Sequence, residues 1–352
     1  MKRNISICMI IQLLVVCIIG GCSNNMQGTL DKNVTDSSTR KIIIDTDTGA
    51  DDAAAIILAA MDKNIEILGL TVLAGNVDID QATQNALMAL ETAGISAPVY
   101  KGAVENYKGE EIQAFSVFGN DGMGDNDLIH PSAEYDEGDA VDFILDTVNK
   151  YPDEVEIVSI GPATNIAKAI QKDPETMKKV KKIWSMGTAG LGPGNSSPVS
   201  EFNVYHDPDA YKIMLDSGLD ISIIGLDACN DKAMWTPDNF KKLSNANSIG
   251  SFIDSSFEKL REFYMSNGTD GSVMNCDALA MMCVLYPDFV TDTITCHGSC
   301  ITEPGETLGQ VIFYQKGFTY DVVKTSDFDY NVTLITGVKK DEYFNRYLKA
   351  IK

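Results

Sequence analysis

From Lys41 onward the chain alternates short apolar runs with stretches whose apolar residues recur at helical spacing. "KIIID" (41–45) reads as a buried strand, and Ala53, Ile56, Ile57 and Ala60 fall on one helical face behind it. "EILGLTVLA" (66–74) predicts a second strand, and "DIDQATQNALMALETAG" (78–94) a helix closed by Gly94. "PVYKG", "EVEIVSI", "VKKIWSMG" and "DISIIGLDA" continue the strands; "GDAVDFILDTVNK", "PATNIAKAIQK" and "DPDAYKIMLDSG" supply helices between them. Pro162 suits an early helical position, and Asp207 before Pro208 reads as an N-cap. The following 60 or so residues read as mainly helical, 309–338 as strands, and "DEYFNRYLKAI" as a terminal helix. Strand and helix in alternation predict a single large α/β domain, 41–352, with a mostly parallel, Rossmann-like central sheet flanked by helices. In such folds ligands bind beyond the carboxyl ends of the strands.

The segment before that domain has a different pattern. Lys2 and Arg3 precede a mostly apolar run, Ile5 to Ile19, and then Gly20, Gly21 and Cys22. The run is shorter than the roughly 20 residues that span a bilayer, so residues 1–21 read as a secretory signal. The small-small-Cys ending resembles a bacterial lipoprotein signal, which implies a lipid on Cys22, export, and a place in the cell envelope on the outer face of a membrane. Residues 22–40 are polar and turn-rich, as a flexible tether would be.

Composition narrows the partners. The 352 residues are 44% hydrophobic, enough for a sizeable core, and carry a formal net charge of -22. Nucleic acid polymers need clustered Lys and Arg and are excluded; an anionic membrane surface is repelled, leaving the lipid as the one membrane contact. Of eight cysteines, Cys8 and Cys17 lie in the signal; Cys296 and Cys300 in "TCHGSC" are near enough to bridge if the backbone turns sharply. The same stretch, with His297, is the one hint of zinc-ligand spacing.

The chemistry is concentrated in "IIIDTDTGADDAAAIILAA" (42–60), where Asp45, Asp47, Asp51 and Asp52 crowd between a strand and a helix. An EF-hand loop fails, because Gly49 stands where Asp or Asn is needed and no Glu closes the loop. Two readings remain from these residues. One is a haloacid-dehalogenase-type phosphatase with Asp45 as nucleophile. The other is a hard-cation site completed by oxygen donors from distant strand ends.

Taken together, "DTDTGADDAAAI", "TVLAGN", "IGPATNIA", "NSSPVSEFN" and "NCDALAM" resemble the successive motifs of the inosine-uridine-preferring nucleoside hydrolases over residues 41–350. The resemblance implies hydrolysis of a ribonucleoside to ribose and free base, with one Ca2+ held by Asp47, Asp52, Asp277 and the main-chain carbonyl of Ile160. Asp47 would be the general base; Asp51, Asn76, Asn195, Glu201 and Asn203 would hold the sugar hydroxyls, with Phe202 beside them. The resemblance also implies a homo-oligomer, dimer or tetramer.

Two departures concern the base pocket. Cys276 and Phe118 stand where many relatives carry His, and a thiol is a poorer acid at neutral pH than imidazolium. They motivate an alternative, a nucleoside- or ribose-binding lipoprotein without turnover. Phe115, Phe118, Tyr205 and Trp235 are candidates to stack on a base, against the plainer expectation that they pack. Trp184 reads as core, and Asn76 has a competing role as the cap of the helix that follows it.

Overall fold

The computed structural model describes residues 39–112 and 116–352; the signal, Cys22, nearly all of the tether, and Phe115 lie outside the described residues. One nine-stranded sheet organises the domain: β1 (Arg40–Thr46), β2 (Ile65–Val72), β3 (Val99–Lys101), β4 (Val155–Ser159), β5 (Lys182–Met186), β6 (Ile221–Ile224), β7 (Val290–Cys300), β8 (Val311–Gln315) and β9 (Val332–Val338). Their spatial order is β3-β2-β1-β4-β5-β6-β9-β7-β8. Pairing is parallel from β3 through β9, and antiparallel where β7 joins β9 and β8.

β1 shows why the sheet is covered on both sides. Its side chains alternate between faces. Ile42 and Ile44 enter a core shared with helices Ala50–Ala60, Ile79–Thr92 and Cys276–Leu285, whereas Ile43 enters the opposite core with helices Ala140–Lys150, Thr164–Lys172 and Pro208–Leu215. All three isoleucines are fully buried, each contributing about 1.5–3 kcal/mol. Strand order reverses at β1, with β2 on one side and β4 on the other. The crevice at that reversal, beyond the carboxyl ends, is where an open α/β sheet leaves room for a ligand.

The last third departs from expectation. Residues 290–300, which the sequence pattern assigned to no element, form β7, the longest strand, and its extended backbone lacks the sharp turn that a Cys296–Cys300 bridge would need. Four residues of extended chain separate the two α-carbons by about 13 Å, beyond the roughly 7 Å a disulfide spans. Both thiols are free and buried. His297 points from the other face of the strand and stacks on Phe328 at 4.3 Å, so the zinc spacing has no counterpart either. Between β8 and β9, residues 316–331 are irregular rather than stranded. Helix Thr164–Lys172 starts two residues after Pro162, which therefore lies just before it. Asp207 does cap its helix, accepting from the Ala210 N–H at 3.0 Å with Pro208 in the first turn.

Candidate functional site

The parity of β1 sorts the aspartates. Asp45 shares a face with Ile43, where its Oδ1 accepts from Thr71 Oγ1 at 2.6 Å and Asn165 Nδ2 at 2.9 Å. Fully buried there, it does not line the cavity, and burial pushes its pKa up to about 7 despite those two donors. Its partners Thr71 and Asn165 lie on the sheet face opposite Thr46 and Asp52, apart from the other acids, so the phosphatase reading of Asp45 is set aside. Thr46, on the other face, donates from Oγ1 to Asp52 Oδ1 at 2.6 Å. The chain then turns through Thr48 and Gly49 into helix Ala50–Ala60, whose first turn carries Asp51 and Asp52.

Asp52 is fixed by three donors: Thr46, the Gly49 N–H at 2.9 Å and Asn76 Nδ2 at 3.0 Å. The Asn76 N–H also donates to Asp47 Oδ2 at 2.7 Å. Asn76 thus ties two aspartates together, while the cap of helix Ile79–Thr92 is Asp78. Asp277 arrives from the far end of the chain, in the first turn of helix Cys276–Leu285, which Asn275 caps. Asp51, Asp52 and Asp277 present carboxylate oxygens within 4.8 Å of one another. Two helix N-termini therefore point their positive ends at one cluster of acids.

The cluster resists ionising as a group. Burial and then Asp52 push Asp51 up to about 8, burial pushes Asp52 up to about 6, and burial and then Asp51 raise Asp277 well above the carboxylate range. Asp47, fully buried and outside the cavity lining, is raised well above it by burial and by repulsion from Asp52. Asp47 Oδ1 and Asp51 Oδ1 are buried atoms without hydrogen-bond partners. Hard oxygens of Asp51, Asp52 and Asp277 converge, with the unpartnered Asp47 Oδ1 on an aspartate that Asp52 repels, and such donors are what a cation such as calcium takes. The residues present fit that ion.

Beside the acids lies a cavity of about 320 Å³. One part of its wall is polar: Asp51, Asn76, Asn195, Glu201, Asn203 and Asp277. Glu201 caps the short helix Phe202–His206; its Oε1 accepts from the Asn203 N–H at 2.9 Å, and its Oε2 from the N–H groups of Val204 at 3.2 Å and Thr188 at 3.1 Å. Burial outweighs these donors and moves its pKa up to about 7. Asn203 Nδ2 donates to the carbonyls of Ile160 at 3.1 Å and Met186 at 3.2 Å, which locks the carbonyl beyond β4 to the same wall. Phe202 lines the cavity with its ring centroid 4.0 Å from that of His206.

The rest of the wall is apolar and aromatic. Phe118 lines it while packing edge-on against Phe257, centroids 6.3 Å apart. Cys276 also lines it; the neighbouring Cys229 thiol and burial hold its own thiol well above the ordinary range. Sequence reasoning missed Leu226, Leu260, Phe263, Tyr264 and Met274, which complete this side. Tyr264 is the one with chemistry, its phenol pushed by burial up to about 12. Helix Glu258–Ser266 places Leu260 and Tyr264 one turn apart, an i, i+4 signal visible in the sequence but without meaning until the helix is seen against the cavity.

Of the other aromatic candidates, Trp235 is fully buried among Phe240, Phe257, Tyr343, Phe344 and Tyr347, and does not reach the cavity. Tyr205 is partly exposed in a separate groove. Trp184 is half-buried, donating from Nε1 to Glu156 at 2.8 Å rather than sitting inside the core.

Comparison with known proteins now identifies the class. Residues 42–345 match the model of the inosine-uridine preferring nucleoside hydrolase family. Uridine nucleosidase 1 of Arabidopsis thaliana is 36% identical over 272 residues, 76% of this chain and 80% of that protein. The pyrimidine-specific ribonucleoside hydrolase RihB of Escherichia coli (strain SE11) is 30% identical over 295 residues, 80% of this chain and 93% of that one. Among solved structures, the plant nucleoside hydrolase PpNRh1 superposes with a TM-score of 0.83 at 28% identity, covering 89% of this chain and 99% of its own. The purine-preferring ribonucleoside hydrolase from Gardnerella vaginalis gives 0.81 at 30%, covering 89% and 98%. These relatives are named as enzymes, which displaces the expectation of a binding protein without turnover. The chain belongs to the inosine-uridine preferring nucleoside hydrolase family and is an enzyme of nucleoside hydrolysis.

Proposed function

We propose that the protein hydrolyses the N-glycosidic bond of ribonucleosides, releasing ribose and free base, with calcium as its resident ion. The observation that carries this reading is the two-sided cavity: acids and amides on one wall, aromatic and aliphatic groups on the other. A ribonucleoside has the matching shape, a hydroxyl-rich sugar joined to a flat, largely apolar base.

Asp47, Asp52, Asp277 and the carbonyl of Ile160 would hold the calcium, which when bound makes a water molecule more acidic and neutralises the crowded acids. Asp47 is the proton acceptor in this reading: its Oδ2 is held by Asn76 while Oδ1 is left unpartnered. Asp51, Asn76, Asn195, Glu201 and Asn203 hold the sugar hydroxyls and fix the ring. Their negative charge favours the oxocarbenium-like sugar as the bond breaks. Phe118, Cys276 and the apolar wall receive the base and keep water from it.

Release of reducing sugar from a panel of ribonucleosides and deoxyribonucleosides, with calcium and with excess chelator, tests this. Turnover of ribonucleosides that stops with chelator is expected. Undiminished turnover in chelator would overturn the calcium assignment, and no sugar from any ribonucleoside would overturn the substrate class. Export with lipidation of Cys22, and assembly as a dimer or tetramer, complete the proposal. Fatty-acid labelling lost in Cys22→Ser, and light scattering of the purified enzyme, check them.

A further inference from the structure

We infer that Thr188 is a positioning residue for the sugar-holding carboxylate of Glu201, acting from a backbone conformation that its own side chain disfavours; this rests on the role of Glu201 proposed above. Thr188 opens the glycine-rich loop after β5 and has φ +75°. For a β-branched residue that is a rare, strained conformation, and it persists only where the surroundings hold it.

Three contacts hold it, one from each polar group of the residue. Its N–H donates to Glu201 Oε2 at 3.1 Å, its Oγ1 accepts from the Gly190 N–H at 3.0 Å, and its carbonyl accepts from the Leu226 N–H at 3.1 Å. Thr188 is 1% exposed and does not line the cavity, so any influence on substrate passes through another residue.

The other two donors to Glu201 come from its own helix, Asn203 and Val204. A glutamate capping a helix makes such bonds by local geometry alone. They hold the carboxylate to Phe202–His206, a helix that Asn203 Nδ2 ties to the Ile160 and Met186 carbonyls, but they leave the carboxylate itself without a bond to the sheet. Of the three donors to the carboxylate, the Thr188 N–H alone comes from a strand end, and it reaches Oε2 from a left-handed backbone. The Oγ1 contact to Gly190 is what keeps the loop from relaxing out of that conformation. The residue thus exchanges local strain for a fixed distance between β5 and the carboxylate that meets the sugar.

The test uses full-length enzyme and three variants. Thr188→Val keeps shape and strain but removes the Oγ1 acceptor; Thr188→Ser keeps the acceptor. Thr188→Val should lower kcat about tenfold, the equivalent of one mis-set hydrogen bond, with KM within about threefold of wild type. Thr188→Ser should restore kcat to within about twofold. In a Glu201→Gln background the Thr188→Val effect on kcat/KM should vanish, because residues acting as a unit are not additive. Where Glu201→Gln is too slow to assay, the same cycle is read from ribose affinity by calorimetry. Wild-type kcat in Thr188→Val, equal losses in Val and Ser variants alongside equal falls in melting temperature, or full additivity with Glu201→Gln would overturn the inference. A Glu201→Gln enzyme with unchanged kcat/KM and ribose affinity would instead overturn the role of Glu201 itself.

Discussion

Asp51 and Asp277 come from opposite ends of the domain, yet each lies in the first turn of a helix and their carboxylates meet within 4.8 Å. Neither would be tolerated there alone. Burial disfavours both charges, Asp52 raises the pKa of both, and Asp51 raises that of Asp277. A divalent cation reverses each of those terms at once.

Calorimetry should therefore find one calcium ion bound per chain, and saturating calcium should raise the melting temperature. At a hundredfold excess over the dissociation constant the stabilisation is about 2.7 kcal/mol. Asp277→Ala should lose both the binding isotherm and the thermal shift. A variant that still bound one ion with wild-type affinity would remove Asp277 from the site.

Gly75 packs directly against Asp47: a Cβ there would lie 2.0 Å from Asp47 Oδ2 and 2.6 Å from its Cβ. Gly75→Ala must push the aspartate aside or shift the strand end. A displacement of this kind costs about a hundredfold in turnover, measured as sugar release under saturating calcium. An alanine variant with wild-type kcat would mean that Asp47 needs no fixed position.

Trp235 should matter to stability and not to substrate choice. Its ring lies at the centre of an aromatic cluster, with Tyr347 at 4.7 Å, and its Nε1 has no partner to lose. Trp235→Phe should cost about 1–3 kcal/mol in chemical denaturation while leaving the ratio of purine to pyrimidine turnover unchanged. A changed ratio would restore the tryptophan as a base-stacking candidate.

Glu156 gives a pH signature remote from the site. Burial acts to raise its pKa, but Arg40, Trp184 and Lys181 more than offset this and hold it down at about 2. Because the folded value lies below the unfolded one, the unfolded chain binds more protons between them. The contribution is fully present above about pH 4.5 and is lost as pH falls toward 2. A shift of that size corresponds to about 3 kcal/mol. The stability difference between wild type and Glu156→Gln, from denaturant titrations, should shrink across that window. A difference independent of pH would show that the carboxylate is not held in its charged form.

Local sequence carried much of the architecture. The alternation of strand and helix through β6 was legible because burial imposes a period of two on strands and of 3.6 on helices. So was the clustering of Asp47, Asp51, Asp52, Asn76 and Glu201 at strand ends and helix caps, where turn chemistry selects short polar residues. β7 went unread because its "CHGSC" drew attention to sulfur chemistry, and because an antiparallel strand shows no long apolar run.

What the sequence determined by itself, then, was the periodicity, the caps and the kinds of donor atom, all set by neighbours a few residues apart. The tertiary structure alone decided which donors share a space. β1 has Asp45 on one face and Thr46 on the other, so one acid is a strut between Thr71 and Asn165 while the next ones meet Asp277. It also decided that Tyr264, unremarkable in sequence, walls the cavity, and that Trp235 does not. The physical reason is that pairing order and helix packing are long-range choices made by burial of the whole core, and no local window contains them.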